Sequence, residues 1–243
     1  MQNEVNRLRD ALMKAERVTV LTGAGISAES GVPTFRGADG LWENYNVMEL
    51  ATPEAFENDP ELVWRFYNWR RGLISRLTFN AAHKALAELE TRIPRFTLIT
   101  QNVDGLHAKA GSRNILEIHG NLWKVRCVEC SMIVLDHSPD MGHLPRCSRC
   151  GGFLRPHVVW FGESLDPDIL QKSLDASRSC EVMITIGTSA IVQPAASLAM
   201  EARRSGALTA EINLERTGHS EFMDLVLLGK AGETVPWLLE GWS

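Results

Sequence analysis

Four cysteines stand in two CxxC pairs, Cys127/Cys130 and Cys147/Cys150, with sixteen residues between the pairs. Thiolates presented from two tight turns close a tetrahedral zinc site and leave no position open for water. Such a metal braces a module and does no chemistry. A second group carries catalytic residue types. Thr100-Gln101-Asn102-Val103-Asp104-Gly105-Leu106-His107 follows the apolar run 96–99, and His119-Gly120 follows the run 115–118. Polar groups just past the ends of buried strands are where open α/β sheets build their sites. A histidine there suits general-base work, because its unperturbed pKa lies near neutrality. His107 and His119 both qualify by type, although a histidine beside a strand is also often structural.

A phosphate cradle is the third signal. Arg17–Thr22 is rich in β-formers and runs directly into Gly23-Ala24-Gly25-Ile26-Ser27-Ala28, a GxGxx(G/A) turn after a strand. Glycines at 23 and 25 would let backbone N–H groups approach a pyrophosphate, and a following helix N-terminus would add partial positive charge. A purely structural Gly-rich turn is the alternative. The dehydrogenase version of this motif expects an acidic residue about 20 positions on. Here that region is a loop, 31–42, so hydride transfer is disfavoured. Phe35 and Arg36 in that loop read as parts of a lid over a reactive site, or as an anchored surface loop. Glu215, at a strand end, is placed to hold a ribose hydroxyl.

The fourth signal is Tyr67 with Arg70. Residues 61–76 have a helical stripe of Leu62, Phe66, Trp69 and Leu73, and the pair sits on its shoulder. A guanidinium fork and a phenol O–H together bind a carboxylate. The alternative is that Arg70 and Arg71 are solvated and Tyr67 packs.

These groups need elements to hold them. Helices are expected at 2–15, 61–76, 81–92, 166–177 and 193–204, and strands at 17–22, 96–99, 115–118, 155–163, 182–189, 208–214 and 222–228. His83 on its helix and Cys180 before a buried strand read as structural. The alternation implies an α/β fold: a Rossmann-like doubly wound parallel sheet, with a smaller domain formed by a helical insertion and a zinc-ribbon insertion. The expected limits are 1–36, 80–122 and 155–243 for the sheet domain, and 37–79 and 123–154 for the insertions.

Composition narrows the functions. The 243 residues are 44% apolar and 23% charged, with a net charge of -5. An acidic chain is no general nucleic-acid binder. Lys124, Arg126, Arg146 and Arg149 near the cysteines are too few to reverse that. No apolar run is long enough for a bilayer. The first residues lack a signal-peptide pattern, so a reducing cytoplasm is the expected location.

Taken together, the chain resembles the sirtuin family of NAD-dependent protein deacylases. The resemblance rests on Gly23-Ala24-Gly25-Ile26-Ser27, Gly31-Val32-Pro33-Thr34-Phe35-Arg36, Thr100-Gln101-Asn102-Val103-Asp104, His119-Gly120, the four cysteines, Val158-Val159-Trp160-Phe161-Gly162-Glu163, Gly187-Thr188-Ser189 and Asn213-Leu214-Glu215. These occur in the family's order along nearly the whole chain. The class of bacterial and sirtuin-5-like desuccinylases is the most similar, since Tyr67 and Arg70 fall on its Tyr-x-x-Arg reader of succinyl, malonyl and glutaryl groups. Ala38 falls where a small residue widens the acyl pocket.

The resemblance implies the following roles. NAD would be bound by Gly23, Ala24, Gly25, Ile26, Glu29, Thr34, Phe35, Arg36, Gln101, Asn102, Asp104, Gly187, Thr188, Ser189, Asn213, Glu215 and Ala231. Nicotinamide would lie near Ile26, Phe35, Asn102 and Asp104. An acyl-lysine peptide would add as a strand beside Val158, Phe161, Gly162 and Glu163, its side chain entering a tunnel lined by Val158 and Phe161. The acyl oxygen would attack the ribose carbon bearing nicotinamide, with His119 as general base on a ribose hydroxyl and Asn102 and Asp104 completing the catalytic set. Free lysine, nicotinamide and 2′-O-acyl-ADP-ribose would result. Mono-ADP-ribosyl transfer to protein from the same NAD site, and a zinc-bearing adaptor without activity, are the competing functions.

Overall fold

The computed structural model describes residues 2–34, 41–43 and 45–242. Phe35, Arg36 and Ala38 therefore lie outside the described residues. Helix α1 (Gln2–Lys14) buries Val5, Leu8 and Leu12. It leads to β1 (Arg17–Thr22), whose last five residues are all buried, and to the single turn α2 (Gly25–Ala28). A small hairpin follows, β2 (Leu41–Trp42) with β3 (Tyr45–Asn46), and then α3 (Val47–Leu50), α4 (Pro53–Asn58), α5 (Pro60–Ser75) and α6 (Ala81–Arg92). Next come β4 (Arg95–Thr100), α7 (Leu106–Ala110), β5 (Ile115–Glu117), β6 (Gly120–Cys127), β7 (Ile133–Leu135) and β8 (Leu154–Val158). The chain closes with α8 (Pro167–Ser179), β9 (Val182–Ile186), α9 (Leu198–Arg204), β10 (Leu208–Asn213), β11 (Leu225–Leu228) and α10 (Ala231–Trp237).

The helix starts are written locally. Thr52, Asp59, Asn80 and Asp166 each accept a backbone N–H at an N-cap, and Pro53, Pro60 and Pro167 occupy first positions where no N–H is needed. The main sheet has six parallel strands in the order β11-β10-β9-β1-β4-β5. Being covered on both faces, its central strands read as continuous apolar runs such as Val182–Ile186. The order reverses between β1 and β9, and ligands of doubly wound sheets bind in the crevice at such a point, outside the carboxyl ends of the strands.

A second, antiparallel sheet has the order β7-β6-β8. The expected strand 155–163 belongs here and not to the parallel sheet: Val125 is opposite Pro156 and Cys127 opposite Leu154. A short apolar run looks the same whichever way its partner points, so periodicity could not supply the direction. Sheet pairing thus carries Gly120–Leu122 and Leu154–Val158 into the smaller module. A separate core packs there, including Trp42, Phe56, Trp64, Phe66, Tyr67 and Trp160.

Helix α5 also turns differently from the expected stripe. Its buried residues are Val63, Trp64, Phe66, Tyr67, Arg71 and Ile74, whereas Trp69 is 39% exposed. Arg71 explains the rotation. Its guanidinium donates to the carbonyls of Ser138, Leu122 and Asp136 and to Asp136 Oδ1, and it lies 5.1 Å from the Trp123 ring centroid. A cation with that many fixed acceptors is stable inside, where a scale of residue hydrophobicity would place it outside. Two smaller differences arise near turns. The segment before α9 forms a 3-10 turn at Ala195–Ser197, and Ser220–Phe222 is another, so β11 starts only at Leu225.

Candidate active site

The turn after β1 meets the turn after β9. Gly23 N–H donates to Ile186 O at 3.0 Å and Gly25 N–H to Gly187 O at 2.8 Å. A Cβ on Gly25 would come within 2.7 Å of Gly187 Cα, and one on Gly187 within 2.4 Å of Ile26 N. These glycines are therefore required first by the contact of two backbones. Their own N–H groups bond the end of β9 and the residue that follows it. The helix expected behind them is the four-residue α2. The rim continues through side chains: Gln101 Nε2 donates to Thr188 Oγ1 at 3.0 Å, and Asn213 Nδ2 to Thr188 O at 2.8 Å. Ser189 is partly exposed beside them, and Glu215 is exposed just beyond β10. Glu29 reaches across to the start of α10, where Oε1 accepts the Gly232 N–H at 2.7 Å next to buried Ala231.

Asn102 and Asp104 lie past β4, in contact with this turn. Asn102 Nδ2 donates to Gly23 O and to Ser27 Oγ, each at 3.1 Å. Asp104 Oδ2 accepts the Ser27 hydroxyl at 2.8 Å, and Oδ1 accepts the Leu106 N–H at 2.9 Å. Burial raises the Asp104 pKa, and these bonds with the nearby Arg70 charge oppose it. Ser27 is a hub that sequence reasoning passed over. Its oxygen has two acceptor sites and one donor. Asn102 and His83 Nε2, the latter at 3.3 Å, fill the acceptor sites while Asp104 takes the proton. His83 Nδ1 in turn accepts the Asn80 N–H, completing a capping box at the head of α6. Burial pushes the His83 pKa down to about 4, so its ring is neutral and Nδ1 keeps the lone pair that accepts the Asn80 N–H. His107 is buried too, bonded to Thr22 Oγ1 and packed 4.7 Å from the His83 ring. Both are buried and bonded inside the fold, which is the structural role expected of His83 and sets His107 apart from His119.

His119 sits between the two sheets. Ile118 N–H donates to Thr100 O, and Val159 N–H donates to His119 O. Its Nδ1 lies 3.1 Å from Gln101 O. A carbonyl only accepts, so Nδ1 carries the proton and Nε2 keeps its lone pair. Burial lowers the His119 pKa, and the bond to Gln101 partly offsets this. The result is a neutral base of fixed tautomer at the carboxyl edge of the sheet.

Tyr67 and Arg70 come together one turn apart on α5, with the guanidinium carbon 5.8 Å from the phenol ring centroid. Burial raises the Tyr67 pKa, keeping its proton on. The Arg70 pKa is lowered by burial, with Tyr67 and Asp104 opposing the shift. The Trp160 indole N–H donates to Tyr67 Oη at 2.8 Å. After β8 the chain runs past buried Val158 to Phe161, which is 48% exposed, and to Gly162 at φ +87 with open space where a Cβ would be. Glu163 is committed within the chain: Oε1 pairs with Arg155 and Arg126, and Oε2 takes Arg155 and the Trp160 N–H. It braces the 158–163 turn.

The four cysteine sulfurs lie within 4.8 Å of one another. Cys127 and Cys150 are 3.4 Å apart, and Cys130 and Cys147 are 3.7 Å apart. Zn–S bonds of about 2.3 Å in a tetrahedron require sulfurs roughly 3.8 Å apart, so the donor set fits zinc. Gly151, at φ +77, makes the turn that follows Cys150. Among the described residues no helix is long and apolar enough to cross a membrane.

Known proteins share this fold and much of this sequence. The model of the Sir2 family matches residues 23–194. The NAD-dependent protein deacylase of Aquifex aeolicus (strain VF5) is 50% identical over 220 residues, which is 90% of this chain and 92% of that protein. A solved Sir2 homologue–NAD complex superposes with a TM-score of 0.92 at 46% identity, over 98% of this chain and 95% of that one. A Sir2–p53 peptide–NAD+ structure gives a TM-score of 0.87 at 32% identity, over 98% and 99% of the two chains. The matched segment runs from the Gly23 turn past His119 and all four cysteines to Pro194, and on this ground the chain belongs to the Sir2 family.

Proposed function

We propose that this chain is an NAD-dependent protein-lysine deacylase that accepts acidic acyl groups, succinyl and malonyl, as well as acetyl. The observation that carries the reading is the neutral His119, its Nδ1 tied to Gln101 O and its Nε2 left as a proton acceptor. Bound NAD supplies an electrophilic ribose carbon, a nicotinamide leaving group and the hydroxyl that receives the acyl group. His119 Nε2 takes the proton of that hydroxyl. Asn102 and Asp104, fixed through Ser27 to the Gly23 turn, hold the nicotinamide end. Burial around them excludes water, which would otherwise intercept the ribose carbon. The rim of Gln101, Thr188 and Asn213, with Ser189 and Glu215 beyond it, accommodates the adenosine half.

The protein substrate docks as an added strand. β8 is an edge strand of its sheet, Val159 just after it donates its N–H to His119 O, and the chain then carries exposed Phe161 and unobstructed Gly162. Backbone bonds to such an edge give affinity without demanding a sequence. The smaller unit, residues 37–79 with 123–154 and the strands flanking them, supplies the acyl pocket. The cytoplasm is the location this chemistry fits, because NAD and reduced zinc thiolates coexist there.

Acyl choice is assigned to Tyr67 and Arg70. Both are donors, and a carboxylate is acceptor-only. Tyr67→Phe combined with Arg70→Met is expected to lower kcat/KM on a succinyl-lysine peptide far more than on its acetyl counterpart. The difference should be about 2–5 kcal/mol, the cost of leaving a buried charge unpaired. Equal losses on the two peptides would show that the pair does not read the acyl group.

A further inference from the structure

We propose that Trp160 is a positioning residue for acyl selectivity: its indole N–H holds the Tyr67 oxygen so that the phenol's own proton is presented to the carboxylate of an acidic acyl chain. The inference rests on the reading of Tyr67 and Arg70 given above.

Trp160 is 2% exposed and held on every side. The Phe56 ring centroid is 5.4 Å away, and the Arg155 guanidinium carbon stands 3.3 Å from the Trp160 ring centroid. Its backbone N–H donates to Glu163 Oε2 at 2.8 Å, and that carboxylate also grips Arg155. The indole N–H is thus a fixed donor, and its acceptor is Tyr67 Oη at 2.8 Å. Tyr67 is itself packed edge-on against Phe66, with centroids 5.1 Å apart.

The chemistry follows from the donor inventory. A phenol has one proton to give and two sites at which to accept, while an indole N–H and a guanidinium can only donate. Arg70 also hydrogen-bonds the Tyr67 side chain. With donors on its oxygen, the Tyr67 hydroxyl cannot point its proton at Trp160 and keeps it for an acceptor in the pocket. Burial holds the phenol in its proton-bearing form, which supports this use. A succinyl or malonyl group ends in an acceptor; an acetyl group ends in a methyl that takes no hydrogen bond. Loss of the indole donor is therefore felt only by the acidic acyl chains. The same residue joins the acyl pocket to the 158–163 turn, so the reader and the proposed peptide edge share one brace.

The test compares kcat/KM for one peptide carrying succinyl-lysine and acetyl-lysine, with the wild-type protein, Trp160→Phe, Tyr67→Phe and the double variant. Replacing Trp160 by 3-benzothienylalanine, which keeps the bicyclic shape and puts sulfur where the N–H was, guards against a folding defect. Trp160→Phe and the benzothienyl variant are expected to lower the succinyl-to-acetyl ratio about five-fold, the worth of one neutral hydrogen bond, mainly through KM. In the double variant the ratio should fall no further than in Tyr67→Phe alone. Equal losses on both peptides, or full additivity in the double variant, would overturn the positioning role while leaving the acyl reader in place. If Tyr67→Phe itself leaves the ratio as it was, the reader falls and the role of Trp160 falls with it.

Discussion

Replacing His119 with asparagine is expected to cut NAD-dependent deacylation by about 100- to 10,000-fold, the usual worth of a positioned general base. The substitution keeps a polar side chain of similar reach beside Gln101 O, so the fold has little reason to change. Asparagine offers no nitrogen lone pair, and the hydroxyl proton then has no acceptor. The wild-type pH profile should agree. Burial disfavours the imidazolium, so the His119 pKa is below its ordinary value. The neutral base is present above that pKa and is lost as pH falls through it, which places the acid limb of kcat/KM below about 6.5. Turnover within ten-fold of wild type in the variant, measured with a melting curve beside it, would remove His119 from the mechanism.

Arg71→Met is expected to cost the fold about 3–5 kcal/mol, as removal of one partner from a buried charge network does. The methionine fills most of the space on α5 but leaves the carbonyls of Leu122, Asp136 and Ser138 without their donor. Two of those carbonyls belong to the segment after β7, within the zinc module, so the damage should spread from the helix to the metal site. Urea denaturation measures the loss, and zinc retention on gel filtration reports where it falls. A change below 1 kcal/mol would mean that the guanidinium bonds do not hold the module.

Much of the fold was legible because its signals are local. The β1-to-glycine transition, the apolar runs of the central strands and the Asp, Asn and Thr caps are each set by neighbours in sequence. The four cysteines were legible because thiol spacing constrains geometry directly. What escaped was set by partners distant in the chain. Arg71 looked like half of a solvated pair, and carbonyls distant in the chain, at Leu122, Asp136 and Ser138, make its burial possible. The strand at 154–158 looked like any apolar strand until β6 fixed its direction. Gly23 and Gly25 stood out in the sequence as a phosphate cradle, and contact with the Gly187 backbone is a demand on them that only the fold reveals. Ser27 gave no signal, since a serine inside a glycine-rich turn is ordinary; only the geometry shows it linking Asn102, His83 and Asp104. His119 became distinguishable from His107 through the family's motif, and the structure adds the physical reason. His107 is 2% exposed and turned to Thr22, whereas His119 is only partly buried and bonded through one nitrogen to Gln101.

Cleavage of NAD at this site is expected to be coupled to removal of an acyl group from lysine. The most direct measurement is the product balance on one succinyl-lysine and one acetyl-lysine peptide with NAD, read by mass spectrometry. With each peptide, nicotinamide, deacylated peptide and acyl-ADP-ribose are expected in equal amounts, and none without NAD. ADP-ribose attached to the protein or peptide while the acyl group stays on the lysine would contradict that coupling.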